Sequence, residues 1–282
     1  MENKEIVVLV SCMYQTDYSI IKRLNLQTDA VVVNQCFKNE YRIISYTNKS
    51  DETKNVVFIS TTERGLSKSR NMAIRNVINN HAICLLCDED EILDDDYEKK
   101  ILEGYNYFHE PDVMAYRVQW SGFGKKYSTN YHRINYIQAL RVCSVQITFK
   151  HSSILQMNIH FDEDMGSGTG NGAGEDTKFM MDCYRKKLKM GYCPNCIASI
   201  KESESQWFKG FDDQYFVNFG WVTRRIHESL ILSILYIFYY AVSKRSLYSR
   251  EMSVTRAFIN MLKGIFQTRT FQNNANFNSN HD

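Results

Sequence analysis

The sequence has little net charge and no long apolar segment near its start. The formal net charge is +2 over 282 residues, so bulk charge gives no reason to expect a nucleic-acid partner. The N-terminal segment "EIVVLVSCMY" is too short for a signal peptide, and no small-residue cleavage site follows it. Eight cysteines in a chain of this size do not suggest a secreted disulfide framework. Together these absences predict a cytoplasmic protein.

Structural zinc is not expected either, although two Cys-x-x-Cys pairs are present. Cys84 and Cys87 lie in "AICLLCDED", which is typical of a buried strand, where positions three apart point to opposite faces. The second pair, Cys193 and Cys196, is about a hundred residues away, far from the spacing of a zinc ribbon. We therefore predict that these cysteines act as small buried hydrophobic side chains.

The first half of the chain alternates between strand-like and helix-like segments. Continuous apolar runs such as "AVVVNQC" and "AICLLCD" are typical of strands covered on both faces. Helical spacing follows in "LSKSRNMAIRNVINN", whose Met72, Ile74, Val77 and Ile78 should face inward. The alternation predicts an α/β fold with an open, mostly parallel sheet and helices on both faces. In such sheets ligands bind beyond the carboxyl ends of the strands.

The second half of the predicted domain is more mixed. "VMAYRVQW", "ALRVCSVQITF" and "ILQMNIHF" look like strands without strong intervening helices, which predicts mixed or antiparallel additions to the sheet. A helix should then run from Glu175 to Gly191, a residue well suited to a helix C-terminus.

The C-terminal third is predicted to be helical. "RRIHESLILSILYIFYYAVSKR" is mostly apolar with basic ends, and "VTRAFINMLKGIF" repeats this mixture. The apolar run is shorter than the roughly 20 residues of a membrane span. Three alternatives stay open: a buried helix, an oligomer contact, and a helix lying on an anionic membrane surface. The Asn-rich tail, residues 271–282, is predicted to be disordered.

The acidic run "LLCDEDEILDDD", residues 85–96, divides into two parts. Asp94–Asp96 precede a predicted helix, where Asp95 and Glu98 fit a capping box. Asp88–Glu91 follow a buried strand, which is the edge where a ligand is expected. Asp88 and Asp90 offer hard oxygen ligands for Mg²⁺ or Mn²⁺, whereas an EF-hand is excluded because its required glycine is absent.

An ion held by so few carboxylates usually shares its coordination shell with substrate phosphates, which predicts a nucleoside diphosphate or triphosphate. The basic partners of those phosphates are expected in "ERGLSKSRN", at Arg64, Lys68 and Arg70. We predict that these three residues bind the donor.

A glycine-rich segment, "MGSGTGNGAGEDTKF", precedes the predicted helix at Glu175. Its spacing does not match a dinucleotide-binding motif. It is either a mobile loop whose backbone approaches a ligand, including Gly172 and Gly174, or a plain surface connection. Glu175 and Asp176 begin the helix, where its dipole keeps carboxylates ionised and able to accept a proton.

The order of "VVLVSCMYQ", "ERGLSKSRNMAI", "LLCDEDEIL" and "GAGEDTKF" resembles glycosyltransferase family 2, inverting enzymes of the GT-A fold. "DEDE" matches the Asp-x-Asp element of that family, and "GED" matches its Glu-Asp element. The resemblance covers roughly residues 5–190. It implies that Asp176 is the catalytic base, and that Glu175 hydrogen-bonds a sugar.

The same resemblance implies the donor-binding residues. Asp90 would ligate Mg²⁺ or Mn²⁺, Asp88 would contact the ribose or help at the metal, and Glu89 would also bind the donor. The loop after the first strand would line the base pocket, through Cys12, Tyr14 and Gln15.

The chain departs from the family pattern at two places. Asn34 and Gln35 stand where the family usually has acidic residues, and an amide can also pair with the edge of uracil. "SESQWFKG" replaces the Gln-x-x-Arg-Trp element of processive enzymes, so transfer of a single sugar is expected. Trp207 is a candidate for sugar stacking, and Lys201 and Glu202 occupy the place of a metal-binding or phosphate-binding histidine.

The resulting hypothesis divides the chain into a GT-A catalytic domain, residues 1–200, a helical extension, 201–270, and the tail. The donor half of the domain is about 1–95 and the acceptor half about 96–200. The expected activity is metal-dependent, inverting transfer of one sugar from a nucleotide sugar, with UDP favoured, to a glycan or lipid-linked glycan of a bacterial surface polysaccharide such as capsule or O-antigen. The alternatives are a sugar-phosphate nucleotidyltransferase and a non-catalytic donor-binding subunit.

Overall fold

The computed structural model describes residues 5–120, 126–200 and 210–268. In chain order, the strands are β1 (Ile6–Met13), β2 (Ala30–Gln35), β3 (Glu40–Thr47), β4 (Thr53–Thr61), β5 (Ile83–Asp88), β6 (Glu91–Leu93), β7 (Val113–Trp120), β8 (His132–Arg133), β9 (Ile147–Lys150) and β10 (Met190–Ile200). The helices are α1 (Ile20–Arg23), α2 (Leu66–Arg75), α3 (Tyr97–Tyr107), α4 (Tyr136–Ala139), α5 (His151–Gln156), α6 (Glu175–Arg185), α7 (Asp213–His227), α8 (Leu230–Ser243), α9 (Arg245–Tyr248) and α10 (Val254–Ile265). A 3-10 turn at Ser144–Gln146 lies between α4 and β9.

The described strands form one sheet in the order β3-β4-β2-β1-β5-β9-β7-β10-β6, with β8 paired to β10. The neighbours β4, β2, β1 and β5 are parallel. β9 is antiparallel to both of its neighbours, and β10 pairs in parallel with β7. The predicted mixed character of the second half is confirmed.

Both faces of the sheet are covered because alternate residues of each central strand point to opposite sides. Val7 and Leu9 of β1 pack in the core that includes α2 and α6, whereas Val8 and Val10 pack in the core that includes α1 and α3. All four side chains are buried, and each contributes about 1.5–3 kcal/mol of hydrophobic stabilisation. The predicted α/β fold is confirmed, because the GT-A-type sheet has a mostly parallel core and helices on both faces.

The C-terminal helices α7–α10 enclose a small core of their own around Phe216, Ile237 and Met261. Helices α7 and α10 cross closely at Gly220. A Cβ atom at this position would lie only 1.9 Å from the carbonyl oxygen of Met261. The predicted helical character of this region is confirmed over the part that the structure describes. Among those residues, no helix combines the length and apolarity needed to cross a membrane.

Two local predictions at helix ends are wrong. Helix α3 begins after Asp96, and the Asp95 side chain accepts hydrogen bonds from Asn25 and Lys49 instead of forming a capping box with Glu98. Helix α6 ends at Arg185, and Gly191 lies within β10. A Cβ atom there would lie 2.6 Å from the sulfur of Met114, so packing explains this glycine.

Two further predictions fail for tertiary reasons. "ILQMNIHF" is not a strand, because its first three residues finish α5 and the rest is loop. Ile78 does not face inward, because α2 ends at Arg75 and leaves that side chain 81% exposed. The predicted burial of Cys84 and Cys87 in a strand is confirmed.

Candidate active site

Polar side chains gather where β1, β2 and β5 end. In the register of the sheet, Cys12 lies opposite Asn34, and Ser11 lies opposite Asp88. Because the three strands are parallel, their carboxyl ends share one edge, which is where open α/β sheets bind ligands. The polar residues that end these separate segments of the sequence therefore lie at one edge of the sheet.

The amide of Asn34 holds the loop after β1. It is fully buried, its oxygen accepts the N–H of Gln15 at 2.9 Å, and its nitrogen donates to the carbonyl of Gln15 at 2.9 Å. Gln35 donates to the carbonyl of Gly65 at 3.1 Å. Burial raises the pKa of the Cys12 thiol, so this group is neutral. These contacts hold the loop after β1 and the start of α2, and the amide of Asn34 is already paired with backbone.

An aromatic and cationic surface lies beside this loop. The ring centroids of Tyr14 and Phe37 are 5.2 Å apart, and the guanidinium of Arg64 lies 5.6 Å and 5.8 Å from them. Arg64 is held by the carbonyl of Cys36 at 2.9 Å. Phe37 is 73% exposed and was not among the predicted site residues. Its position just after the second strand, at the expected ligand edge, was the signal that could have identified it.

The acidic run forms a tight turn between β5 and β6. Asp88 ends β5, Asp90 is exposed in the turn, and Glu91 is buried at the start of β6. Glu91 accepts the N–H of Asp88 at 2.8 Å, and burial together with the charge of Asp88 raises its pKa well above the usual range. Glu89 accepts the N–H of Met13 at 3.2 Å, and burial raises its pKa as well. The two carboxyls with raised pKa values support the turn, while Asp90 is exposed and Asp88 is partly exposed.

Arg70 connects this turn to the start of α6. Its side chain is 2% exposed and forms ion pairs of 3.0 Å with both Asp88 and Glu175. Burial alone would disfavour the charge of the guanidinium, but the two carboxylates outweigh burial and raise its pKa. The sequence predicted that Arg70 binds the phosphates of the donor. Its position between two carboxylates indicates that it positions them.

Asp176 lies half-buried in the first turn of α6. It accepts the N–H of Thr177 at 2.7 Å and the N–H of Ser144 at 3.2 Å. Burial and the neighbouring charge of Glu175 raise the pKa of Asp176 to about 6, against the opposing influence of Arg70. A carboxylate with this pKa is ionised at neutral pH and is a stronger base than an ordinary aspartate.

Ser144 is a second residue that the sequence did not identify. Its N–H donates to Asp176, and its hydroxyl donates to Asp88 at 3.4 Å. It lies in "RVCSVQITF", which has the pattern of a strand and carries no signal of a binding site. The residue nevertheless connects the two carboxylates on which the proposed chemistry depends.

The glycine-rich segment is folded against α2 and α7. Gly166 donates its N–H to the carbonyl of Gly172 at 2.8 Å, and Ser67 donates to the carbonyl of Met165 at 2.8 Å. Gly174 has a φ of 114°, and a Cβ atom there would lie 2.8 Å from Val222. The segment is thus not a loosely attached surface connection, and Gly172 and Gly174 pack against α7.

The residues at the acidic turn fit a shared divalent ion better than a metal site made by the protein alone. In the described part of the chain, no three His, Cys, Asp or Glu residues are grouped to hold a metal. The exposed Asp90 and the partly exposed Asp88 supply two hard oxygen donors at the ligand edge. Mg²⁺ or Mn²⁺ bound there would take its remaining ligands from water and phosphate.

Lys68 is half-buried on α2, and Trp207, Lys201 and Glu202 lie outside the described residues.

A polar cavity of about 780 Å³ lies between α6 and α7, away from the acidic turn. Three of the cations that line it form ion pairs, and the pair of Lys178 with Glu228 at 3.1 Å connects α6 to the end of α7.

Comparison with known proteins identifies the fold. No family model matches the chain, and no curated protein matches it. A crystal structure of TarS residues 1–349 from S. aureus in complex with UDP is similar, with a TM-score of 0.60 and 13% identity over 93% of this chain and 81% of that one. The corresponding complex with UDP-GlcNAc has a TM-score of 0.62 and 13% identity over 92% and 79%. At this identity the likeness establishes a common fold.

Proposed function

We propose that the chain is an inverting glycosyltransferase that moves one sugar from a nucleotide sugar to a hydroxyl of a glycan or lipid-linked glycan. The observation that carries the proposal is the cluster of Asp88, Arg70, Glu175 and Asp176 at the carboxyl edge of the sheet. Three segments of the chain converge there, and the cluster contains both a donor-side carboxylate and a carboxylate with the pKa of a general base.

In the proposed reaction Asp176 accepts the proton of the acceptor hydroxyl. The hydroxyl oxygen forms a bond to the anomeric carbon from the face opposite the nucleotide, and the bond from that carbon to the diphosphate oxygen breaks. The configuration is therefore inverted, and the nucleotide leaves as a diphosphate. In the same proposal Glu175, which Arg70 holds at 3.0 Å, accepts a hydrogen bond from a sugar hydroxyl.

A divalent ion is proposed at Asp90 and Asp88. When bound, Mg²⁺ or Mn²⁺ would neutralise negative charge on the departing diphosphate. The exposed oxygens at the turn and the hard character of carboxylates support this assignment.

UDP is the favoured nucleotide of the donor. TarS, which shares the fold, has been crystallised with UDP and with UDP-GlcNAc. The exposed ring of Phe37 beside Tyr14 and Arg64 offers a flat surface on which a nucleobase can stack. Because the amide of Asn34 is already paired with the backbone of Gln15, stacking accounts for base binding better than pairing with this amide does.

The test is hydrolysis and transfer with a panel of UDP-sugars, with Mn²⁺ and with a chelator. We expect slow hydrolysis of one donor that requires the metal, and Asp176→Asn should lower transfer by about 10²–10⁴-fold without weakening UDP binding. Asp90→Ala should abolish metal-dependent turnover. Asp182→Asn, also on α6, serves as the control and should retain activity. An Asp176→Asn protein with unchanged turnover would refute the assignment of the base.

A further inference from the structure

Helix α8 presents an apolar face to solvent. Ile231, Leu235, Phe238 and Val242 recur at helical spacing, and each is between 47% and 72% exposed. We call these four residues the α8 apolar face. The opposite side of the helix, which includes Ile237, is buried against α7 and α10. The helix is therefore held by the protein along one side and offers only the other to a partner.

A basic cluster adjoins this face. Lys244, Arg245 and Arg250 follow α8, all three are exposed, and none forms an ion pair with another residue in the described ranges. Helix α8 itself contains no charged residue. An apolar helix face with uncompensated cations at one end is the pattern of a surface that binds an anionic lipid interface.

We propose that the α8 apolar face docks onto an anionic phospholipid bilayer, with Lys244, Arg245 and Arg250 against the headgroups. The helix lies parallel to the bilayer plane because its buried side remains on the protein. Tyr239, which is also exposed, has an apolar ring and a hydroxyl that suit the level of the headgroups. A two-fold contact with a second copy would instead bring a second set of the same cations to the interface. The proposal does not depend on the proposed sugar transfer.

The test is co-flotation of the whole chain with vesicles of phosphatidylcholine containing about a quarter phosphatidylglycerol, compared with phosphatidylcholine alone. We expect binding to the anionic vesicles that weakens as salt is added. Lys244→Gln with Arg245→Gln should lower the affinity by about 25-fold, at about fivefold for each cation. Leu235→Gln with Phe238→Gln should lower it by at least about tenfold.

The matched controls change exposed residues elsewhere. Ile43→Gln with Ile78→Gln removes apolar side chains from β3 and from the segment after α2. Arg75→Gln with Lys99→Gln removes two exposed cations. Both control proteins should float like the wild type. The circular dichroism melting curve of each variant verifies folding, and the charge variant tests the proposal without touching the packing of α8.

Three outcomes would overturn the proposal. The first is no difference between anionic and neutral vesicles for the wild type. The second is that neither Lys244→Gln with Arg245→Gln nor Leu235→Gln with Phe238→Gln changes binding to the anionic vesicles. The third is a dimer in light scattering without vesicles that Leu235→Gln with Phe238→Gln dissociates, because the face would then be an interface between copies.

Discussion

Replacing Asp176 with asparagine should stabilise the protein at neutral pH while it removes activity. The pKa of this carboxyl rises from its ordinary value of 3.8 to about 6 in the folded protein. Each unit corresponds to about 1.4 kcal/mol, so the charged form costs the folded state about 3 kcal/mol. The amide would lose one of two backbone hydrogen bonds, from Ser144 or Thr177, at a cost of about 1 kcal/mol. The expected net gain in the free energy of unfolding is about 2 kcal/mol.

The sign of the pH dependence follows from proton linkage. Because the folded state binds the proton of Asp176 more tightly than the unfolded state, the stability due to this group is highest below pH 3.8 and is lost as pH rises to about 6. Asparagine does not titrate. The stability difference between the variant and the wild type should therefore grow as pH rises through this window.

Urea denaturation of both proteins from about pH 5 to about pH 7.5 measures that difference directly, because the other titrating groups are common to both. Asp182→Asn is the control, since Asp182 is paired with Lys178 and Arg185 and its loss should destabilise. A variant of Asp176 that is less stable than the wild type at neutral pH, or a difference that is flat with pH, would refute the reasoning.

Three other predictions concern the same site. The pH profile of kcat/KM should fall tenfold per unit below about pH 6, where Asp176 becomes protonated, and an acid limb near the ordinary value of 3.8 would contradict its role as base. Arg70→Met should lower the free energy of unfolding by about 3 kcal/mol, because two buried or partly buried carboxylates lose their partner, while Arg75→Met on the exposed side of α2 should change it by less than about 0.5 kcal/mol in urea titration. Phe37→Ala should weaken UDP binding about fivefold or more in calorimetry with the melting temperature unchanged; an equal loss in Tyr41→Ala, a second exposed aromatic, would count against stacking.

The strands that end at the ligand edge could be predicted because a buried parallel strand leaves a continuous apolar run. The runs ending at Cys12, Gln35 and Asp88 all form strands, and the polar residues that follow them lie at one edge. The pattern was less informative where packing decides the structure. "ILQMNIHF" has strand-like composition, but the chain enters α5 directly after β9, so its first part becomes helical.

The site residues that the sequence did not reveal depend on long-range contacts. Ser144 is separated from Asp176 by 32 residues and from Asp88 by 56, so no local pattern could connect them. The position of Arg70 in "GLSKSRN" was apparent, but its burial between Asp88 and Glu175 arises only when α2 and α6 meet at the sheet edge. Local patterns predicted which residue types gather at the edge, and tertiary packing determined which of them bind one another.

The charges at this edge bear on the need for a cation. Arg70 is shared by Asp88 and Glu175, and Asp90 adds a further carboxylate at the turn. Asp176 is also ionised at neutral pH, so three carboxylates, Asp88, Glu175 and Asp176, lie around the buried guanidinium of Arg70. The phosphates of a nucleotide would be repelled by these three carboxylates, which one shared guanidinium does not neutralise. A divalent ion bound at Asp90 and Asp88 would make the local charge favourable for a diphosphate. We therefore expect the affinity for UDP to rise sharply with Mn²⁺ in the wild type and not in Asp90→Ala. Tight, metal-independent UDP binding would show that basic groups outside this cluster hold the diphosphate.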